Sequence, residues 1–423
     1  MAKLRRELGL LSTTIFGIAV IVGAGIYSLI GVATAMAGPG VWLSFIIAAV
    51  VAMLTALSFA ELSSMFTGAG SSYLYVFKGM RSRLFGFITG WLILFETIVG
   101  VAAISMAFGG YLASLIPLPI MAAALGIILL LSLVNLIGIK ESASLNNILF
   151  VMELGGLIFI IIAGLLFGHA NPNFFDFQLV PVLSGAALVF FAMLGFEMIA
   201  SESEEAKDAS HTIPYAILLS IGICAVLYAL FAIASLMLVG PEILGVSTAP
   251  VKDVVFPILG EYAFIFSIIA LASTASTVLI CLITASRLSY GMAKDRSLPH
   301  FLSAVNSQFR TPHFTVLFAM LVSIVSLLIA NMVVIAEVTN FAALAAFFFI
   351  NMSAILLRMR EPDAKRPFKM PFAVANIPIP AVLGAITSLF LIAFLTHEAI
   401  IYGSALVILG GVVHLLMPKE NKK

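Results

Sequence analysis

Apolar runs about as long as a lipid bilayer is thick recur from one end of this chain to the other, and no long polar stretch separates them. A bilayer-spanning helix needs roughly 20 apolar residues. Candidate spans fall near residues 10–35, 41–66, 84–113, 120–139, 147–168, 181–201, 213–239, 261–290, 313–331, 333–357, 379–396 and 398–417. Composition agrees with this reading. Of the 423 residues, 62% are hydrophobic and 10% are charged, whereas soluble domains carry about a quarter charged residues. Lipid offers no partner for open backbone groups, so spanning segments must be helices or a closed barrel. No ten-residue alternation recurs, which excludes the barrel. The expected fold is therefore all-α and polytopic, with about twelve transmembrane helices in a single transmembrane domain over 1–423.

Charge placement gives an orientation. With an even number of spans both termini lie on one side. Of the chain's 21 lysines and arginines, all but Lys252 then fall on that same side. The positive-inside rule assigns it to the cytoplasm, predicting a multi-pass protein of the cytoplasmic membrane with both termini cytoplasmic. Residues 1–7 are basic and lead directly into the first apolar run, which outlasts a signal peptide's apolar core and reads as an uncleaved span. Cys224 and Cys281 lie inside apolar runs without metal-ligand spacing, so neither a disulfide framework nor a metal site is expected.

Two of the spans look interrupted. The first contains Gly23-Ala24-Gly25, and the sixth contains Ala192-Met193-Leu194-Gly195. Five spans separate them, and an odd offset inverts the second unit relative to the first. Inverted repeats with broken helices in matching positions point to a transporter's binding site. Glycine lowers the barrier to leaving helical geometry and lets a ligand approach the backbone. An unwound segment frees N–H groups on one half-helix and C=O groups on the other. The N–H end suits a carboxylate, and the C=O end suits an ammonium. A zwitterionic amino acid offers both. The amides of Ala24, Gly25 and Ile26, next to Gly23, are assigned to the carboxylate. The carbonyls of Ile21, Phe191, Ala192 and Leu194 are assigned to the α-amino group. Close helix packing through small residues is the alternative use of these glycines.

At these breaks the sequence resembles the amino acid–polyamine–organocation (APC) superfamily of transporters. The stretch Gly17 to Tyr27 is similar to that family's glycine-small-glycine-isoleucine-aromatic signature, and Phe190 to Glu197 to its second signature. Glu204-Glu205-Ala206-Lys207 with Thr212-Ile213-Pro214, Ser286 to Asp295, and Arg366 to Pro371 resemble its cytoplasmic motifs. The resemblance implies a LeuT-type 5+5 inverted repeat with helices 1 and 6 broken. The repeat units would cover about 8–170 and 180–358, with two extra helices at about 378–418. It implies secondary active transport by alternating access, and gating aromatics at Tyr27 and Phe196.

Carboxylates at membrane depth are energetically unfavourable and usually functional. Glu96, Glu153 and Glu197 lie well inside spans, Glu61 and Glu337 nearer span ends. Proton-coupled members that this chain resembles carry a lysine near the position of Glu153, and no span here has one at mid-depth. Protonated Glu153 could donate to first-span carbonyls, or hold a cation with Ser273 and Ser276, or be structural. Glu197 would anchor the sixth-span break or sense substrate charge. Glu96 has no counterpart in the resemblance and reads as structural. The expected function is a permease for small neutral amino acids such as alanine, glycine or serine, driven by protons, with sodium as the alternative ion. A polyamine or amino-acid exchanger is the rival within transport. A channel would need a filter-like motif and an enzyme a catalytic cluster, and neither is visible. The partners expected are the amino acid and the lipid bilayer, with no cofactor, nucleic acid or obligate protein partner.

Overall fold

Helix formation in lipid is dictated by the backbone, because each N–H and C=O must be satisfied within its own segment. The computed structural model accordingly is helical nearly throughout. It describes residues 8–67, 71–138, 143–168, 173–204, 206–306 and 308–417. Lys3, Arg5, Arg6, Lys140, Lys419, Lys422 and Lys423, all counted in the charge asymmetry, and Glu205 of the loop motif lie outside the described residues.

The helices in chain order are α1 Leu10–Ala37, α2 Val41–Met65, α3 Ser71–Met80, α4 Arg83–Ala113, α5 Ile120–Ile137, α6 Ala143–Phe167, α7 Leu179–Val189, α8 Phe196–Ile199, α9 Ala209–Val246, α10 Pro250–Leu259, α11 Phe264–Lys294, α12 His313–Ile329, α13 Met332–Arg360, α14 Ile379–Ile392 and α15 His397–Leu416. Each predicted span coincides with one of these helices, or, for the sixth, with α7 and α8 together. Among the described residues, nine helical stretches are long and apolar enough to cross a membrane, and three shorter apolar helices accompany them.

Three features were not anticipated from hydropathy. The ten-residue α3 and α10 are too short to span and sit between longer helices. A two-stranded hairpin, Ala373–Val374 with Ile377–Pro378, lies between α13 and α14. Its turn residues Ala375 and Asn376 both have positive φ, 49° and 65°, as a tight primed turn requires. The seventh predicted span is longer than expected. It kinks at Gly240 (φ 73°) before Pro241 and continues to Val246, since proline cannot donate to the preceding turn.

Burial separates central from peripheral helices. In α4, 94% of the most apolar stretch is buried, against 17% in α15. Helix α1 packs along α9, as does α2, while α4 packs on α11 and α13. On the side carrying the basic residues, the ends of α2, α13 and the α13–α14 connection are joined by a buried charge cluster. The Glu61 carboxylate accepts from Arg358 Nε at 2.7 Å, from a second Arg358 nitrogen, from Arg366 Nε at 3.1 Å and from the Met370 N–H at 2.8 Å. The Lys207 N–H donates to the Leu8 carbonyl at 3.0 Å, tying the start of α1 to the segment after α8.

Candidate functional site

The two interruptions meet in space. In α1 the backbone leaves helical geometry at Gly23 (φ −16°, ψ −151°). In the sixth predicted span, α7 tightens into a 3₁₀ turn over Phe190–Met193. Leu194 is then extended, and Gly195 adopts φ 107°. That φ lies where side chains are strongly disfavoured. Gly195 is also crowded, since a Cβ there would sit 2.7 Å from Val20 Cγ1. Gly25 is required for a different reason: a Cβ would lie 2.7 Å from the Ala192 Cα. The missing side chains thus let the two broken segments touch through their backbones.

Tyrosine hydroxyls fasten α1 on both sides of its break. Tyr228 of α9 donates to the Ile21 carbonyl at 2.7 Å, Tyr111 of α4 to the Tyr27 carbonyl at 2.7 Å, and Tyr27 to the Glu153 carbonyl at 2.5 Å. The Ile21 carbonyl, assigned from sequence to a substrate ammonium, therefore already accepts one hydrogen bond.

A cavity of about 90 Å³ opens where the breaks meet, several times the roughly 10–15 Å³ that one water needs. Its wall includes Ile21, Gly23, Gly25, Phe191, Leu194 and Gly195 from the breaks. Gly100 of α4 leaves room for the Phe191 ring, 3.8 Å from where its Cβ would be. Thr97 of α4, Thr277 of α11 and Thr339 of α13 add hydroxyls to the wall. Each donates back to its own helix, to Ile93, Ser273 and Ile335 carbonyls at 2.9, 2.9 and 3.0 Å. The Thr97 and Thr339 oxygens retain lone pairs, so these hydroxyls are suited to accept from an ammonium.

Two carboxylates face the same cavity, Glu197 and Glu96. Both oxygens of Glu197 lie within hydrogen-bond distance of the Gly195 N–H, at 3.0 and 3.1 Å, so this side chain caps the reversal of its own break. Glu96 is buried, and its Oε2 has no hydrogen-bond partner among the described residues.

The remaining sequence-assigned residues lie around the cavity without lining it. Ile26 and Tyr27 are fully buried behind the break. Ala192 meets Gly25. Of Ala24 only the backbone is described. The Phe196 ring packs between Phe59 and Phe347, with centroids 5.4 and 5.2 Å away. Glu153 is buried on α6, its carboxyl beside the Ser273 hydroxyl, and neither it nor Ser273 and Ser276 belongs to the cavity wall. Sequence reasoning passed over Glu96 as structural and did not single out Thr97, Thr277 and Thr339. The signal for Glu96 was its mid-span depth alone.

Comparison with known proteins gives a consistent result. The family described as amino acid permease matches residues 8–407. The branched-chain amino acid permease BcaP of Bacillus subtilis is 30% identical over 450 residues, covering 100% of this chain and 95% of the relative. The methylthioribose transporter of the same organism is 30% identical over 410 residues, covering 90% and 87%. Human cationic amino acid transporter 4 is 31% identical over 389 residues, covering 85% of this chain and 61% of the relative.

Proposed function

Because the chain belongs to the amino acid permease family of the APC superfamily, we propose that it is a secondary active transporter that binds a small neutral amino acid at its two helix breaks and carries it with a proton across the cytoplasmic membrane. One of its relatives is a transporter of methylthioribose, so the substrate assignment rests on the site rather than on family membership. The observation that carries it is the direct abutment of Gly25 on Ala192 at the edge of a small, largely apolar cavity. There the freed N–H groups of one half-helix and the C=O groups of the other can take the two charges of a zwitterion. The amides of Ala24, Gly25 and Ile26 bind the carboxylate. The α-amino group goes to the carbonyls of Ile21, Phe191, Ala192 and Leu194. The small cavity leaves little space for a side chain.

The wider architecture in this reading is the LeuT-type arrangement. Twelve spans put both termini in the cytoplasm, repeat units over about 8–170 and 180–358 rock against one another, and the helices at about 378–418 stand outside the repeat. Tyr27 and Phe196 close the site by being withdrawn or released with their helices. The driving ion is a proton held by a membrane-embedded carboxyl group.

A second reading, an amino acid with a cationic side chain, is favoured by the two carboxylates in the cavity wall and by the cationic amino acid transporters among the relatives. Purified protein in liposomes, preloaded with one amino acid and challenged with a labelled panel, separates the two. Exchange of alanine and serine but not lysine or arginine is expected. Exchange confined to lysine and arginine would replace the first reading with the second.

A further inference from the structure

Glu96 stands unused by the substrate contacts described above, and its surroundings are unusual. It lies on α4, buried, at a wall of the cavity that it shares with Glu197 of α8. The two carboxylates lie within electrostatic reach of each other. From α11 the thiol of Cys281 faces the same space. Among the described residues, helices α1 and α13 contribute no charged group to the wall, and no basic side chain lines it. Were both ionised, two negative charges would share one low-dielectric space with no basic side chain among the described residues to offset them, where like-charge repulsion is several-fold stronger than in water.

Hydrogen bonding distinguishes the two acids. Glu197 is held as an acceptor by the Gly195 N–H. Oε2 of Glu96 has no partner among the described residues, and the nearby hydroxyl protons of Thr97, Thr277 and Thr339 are directed to carbonyls of their own helices. An ionised Glu96 would leave a buried anionic oxygen unsatisfied, which is strongly unfavourable. A proton on Glu96 removes the repulsion and converts that oxygen from acceptor to donor.

We propose that Glu96 and Glu197 together are the site of the coupling proton, with Glu96 its carrier, and that the Leu194–Gly195 break links this proton to the substrate. The inference rests on the transport function proposed above. One proton enters from the outer side onto the pair as an amino acid enters the cavity, and the same proton leaves to the cytoplasm with the substrate. The backbone link is short. Leu194 and Gly195 line the substrate space, the Gly195 N–H binds Glu197, and Glu197 faces Glu96. Substrate binding and protonation then favour one another, as reciprocal coupling between two sites requires. Glu153 stands outside this arrangement. Its carboxyl lies beside Ser273, away from the cavity wall.

The test uses wild type, Glu96→Gln, Glu96→Asp and Glu153→Gln in liposomes, with labelled alanine. For one proton per substrate, an inside-alkaline gradient of about one pH unit drives about tenfold accumulation. Glu96→Gln is expected to lose accumulation, its inside-to-outside ratio falling to about one, while alanine exchange without a gradient persists at a reduced rate. Glu96→Asp and Glu153→Gln are expected to keep accumulating. Undiminished accumulation in Glu96→Gln overturns the proposal, as does its loss in folded Glu96→Asp. Loss of exchange together with accumulation in folded Glu96→Gln also overturns it, by making Glu96 a substrate ligand. A transport-independent readout is the infrared band of a protonated carboxyl group. It should be present in wild type and Glu153→Gln and reduced in Glu96→Gln. Its persistence in Glu96→Gln refutes the proton assignment even if alanine proves not to be carried, whereas absence of any amino acid exchange in wild type refutes the transport reading alone.

Discussion

At the scale of single residues, the junction of the two helix breaks depends on a few positions where a side chain cannot be added and a few where a hydroxyl cannot be removed. Gly195 combines φ 107° with a crowded Cβ position against Val20. Gly195→Ala is expected to destabilise the protein by about 1–3 kcal/mol, the range for residues forced into sparsely populated backbone regions, and to reduce substrate exchange. Thermal melting in detergent and exchange in liposomes measure the two effects. Tyr228→Phe removes a buried hydroxyl from the Ile21 carbonyl, with an expected loss of about 1 kcal/mol. Gly23 and Gly25 were legible in the sequence because glycine pairs stand out in an apolar run, and Leu194–Gly195 because it lay five spans away. The Tyr228–Ile21 bond was not legible, since 207 residues separate its partners and hydropathy does not say which face of a helix points inward. Glu96 was visible as a mid-span acid, but its companionship with Glu197 appears only when α4 and α8 are brought together around one space.

At the scale of elements, long apolar helices were readable and short ones were not. A window wide enough to detect a span averages away ten residues such as α3, where fully buried Tyr75 and Val76 alternate with exposed Tyr73 and Lys78. The join between α2, α13 and the following loop was likewise hidden, although its residues, Glu61 and Arg366, were noticed separately. Glu61, Arg358 and Arg366 side chains are all almost fully buried. Removing Arg358 takes two of the four hydrogen bonds from the buried Glu61 carboxylate and leaves it to Arg366 and the Met370 N–H. Arg358→Ala is expected to destabilise the fold by about 1.5–3 kcal/mol, the range for lost hydrogen bonds to a charged group. Arg358→Lys should rescue little of this, because an ammonium cannot reproduce the two-pronged contact with Glu61. Denaturation of the two variants side by side checks the expectation.

At the scale of the whole molecule, the all-helical many-span architecture and the family were both accessible from the sequence, because hydropathy and ordered motifs extend over nearly the entire chain. Which buried acids share a space was not, because that depends on how distant helices are brought together. Topology is open to direct examination. A cysteine at Lys252 should react with a membrane-impermeant thiol reagent only from outside the cell, and one at Arg296 only from the cytoplasmic side, as the positive-inside asymmetry requires; the opposite pattern would invert the molecule and the proposed direction of proton flow. The binding site itself is tested most directly by a density map of the protein in lipid nanodiscs, determined with and without saturating alanine. The expected difference is a single ligand between residues 23–26 and 191–195, its carboxylate toward the amides of α1 and its amino group toward the carbonyls of the second break. Ligand density elsewhere, with this space unchanged between the two maps, would contradict the account.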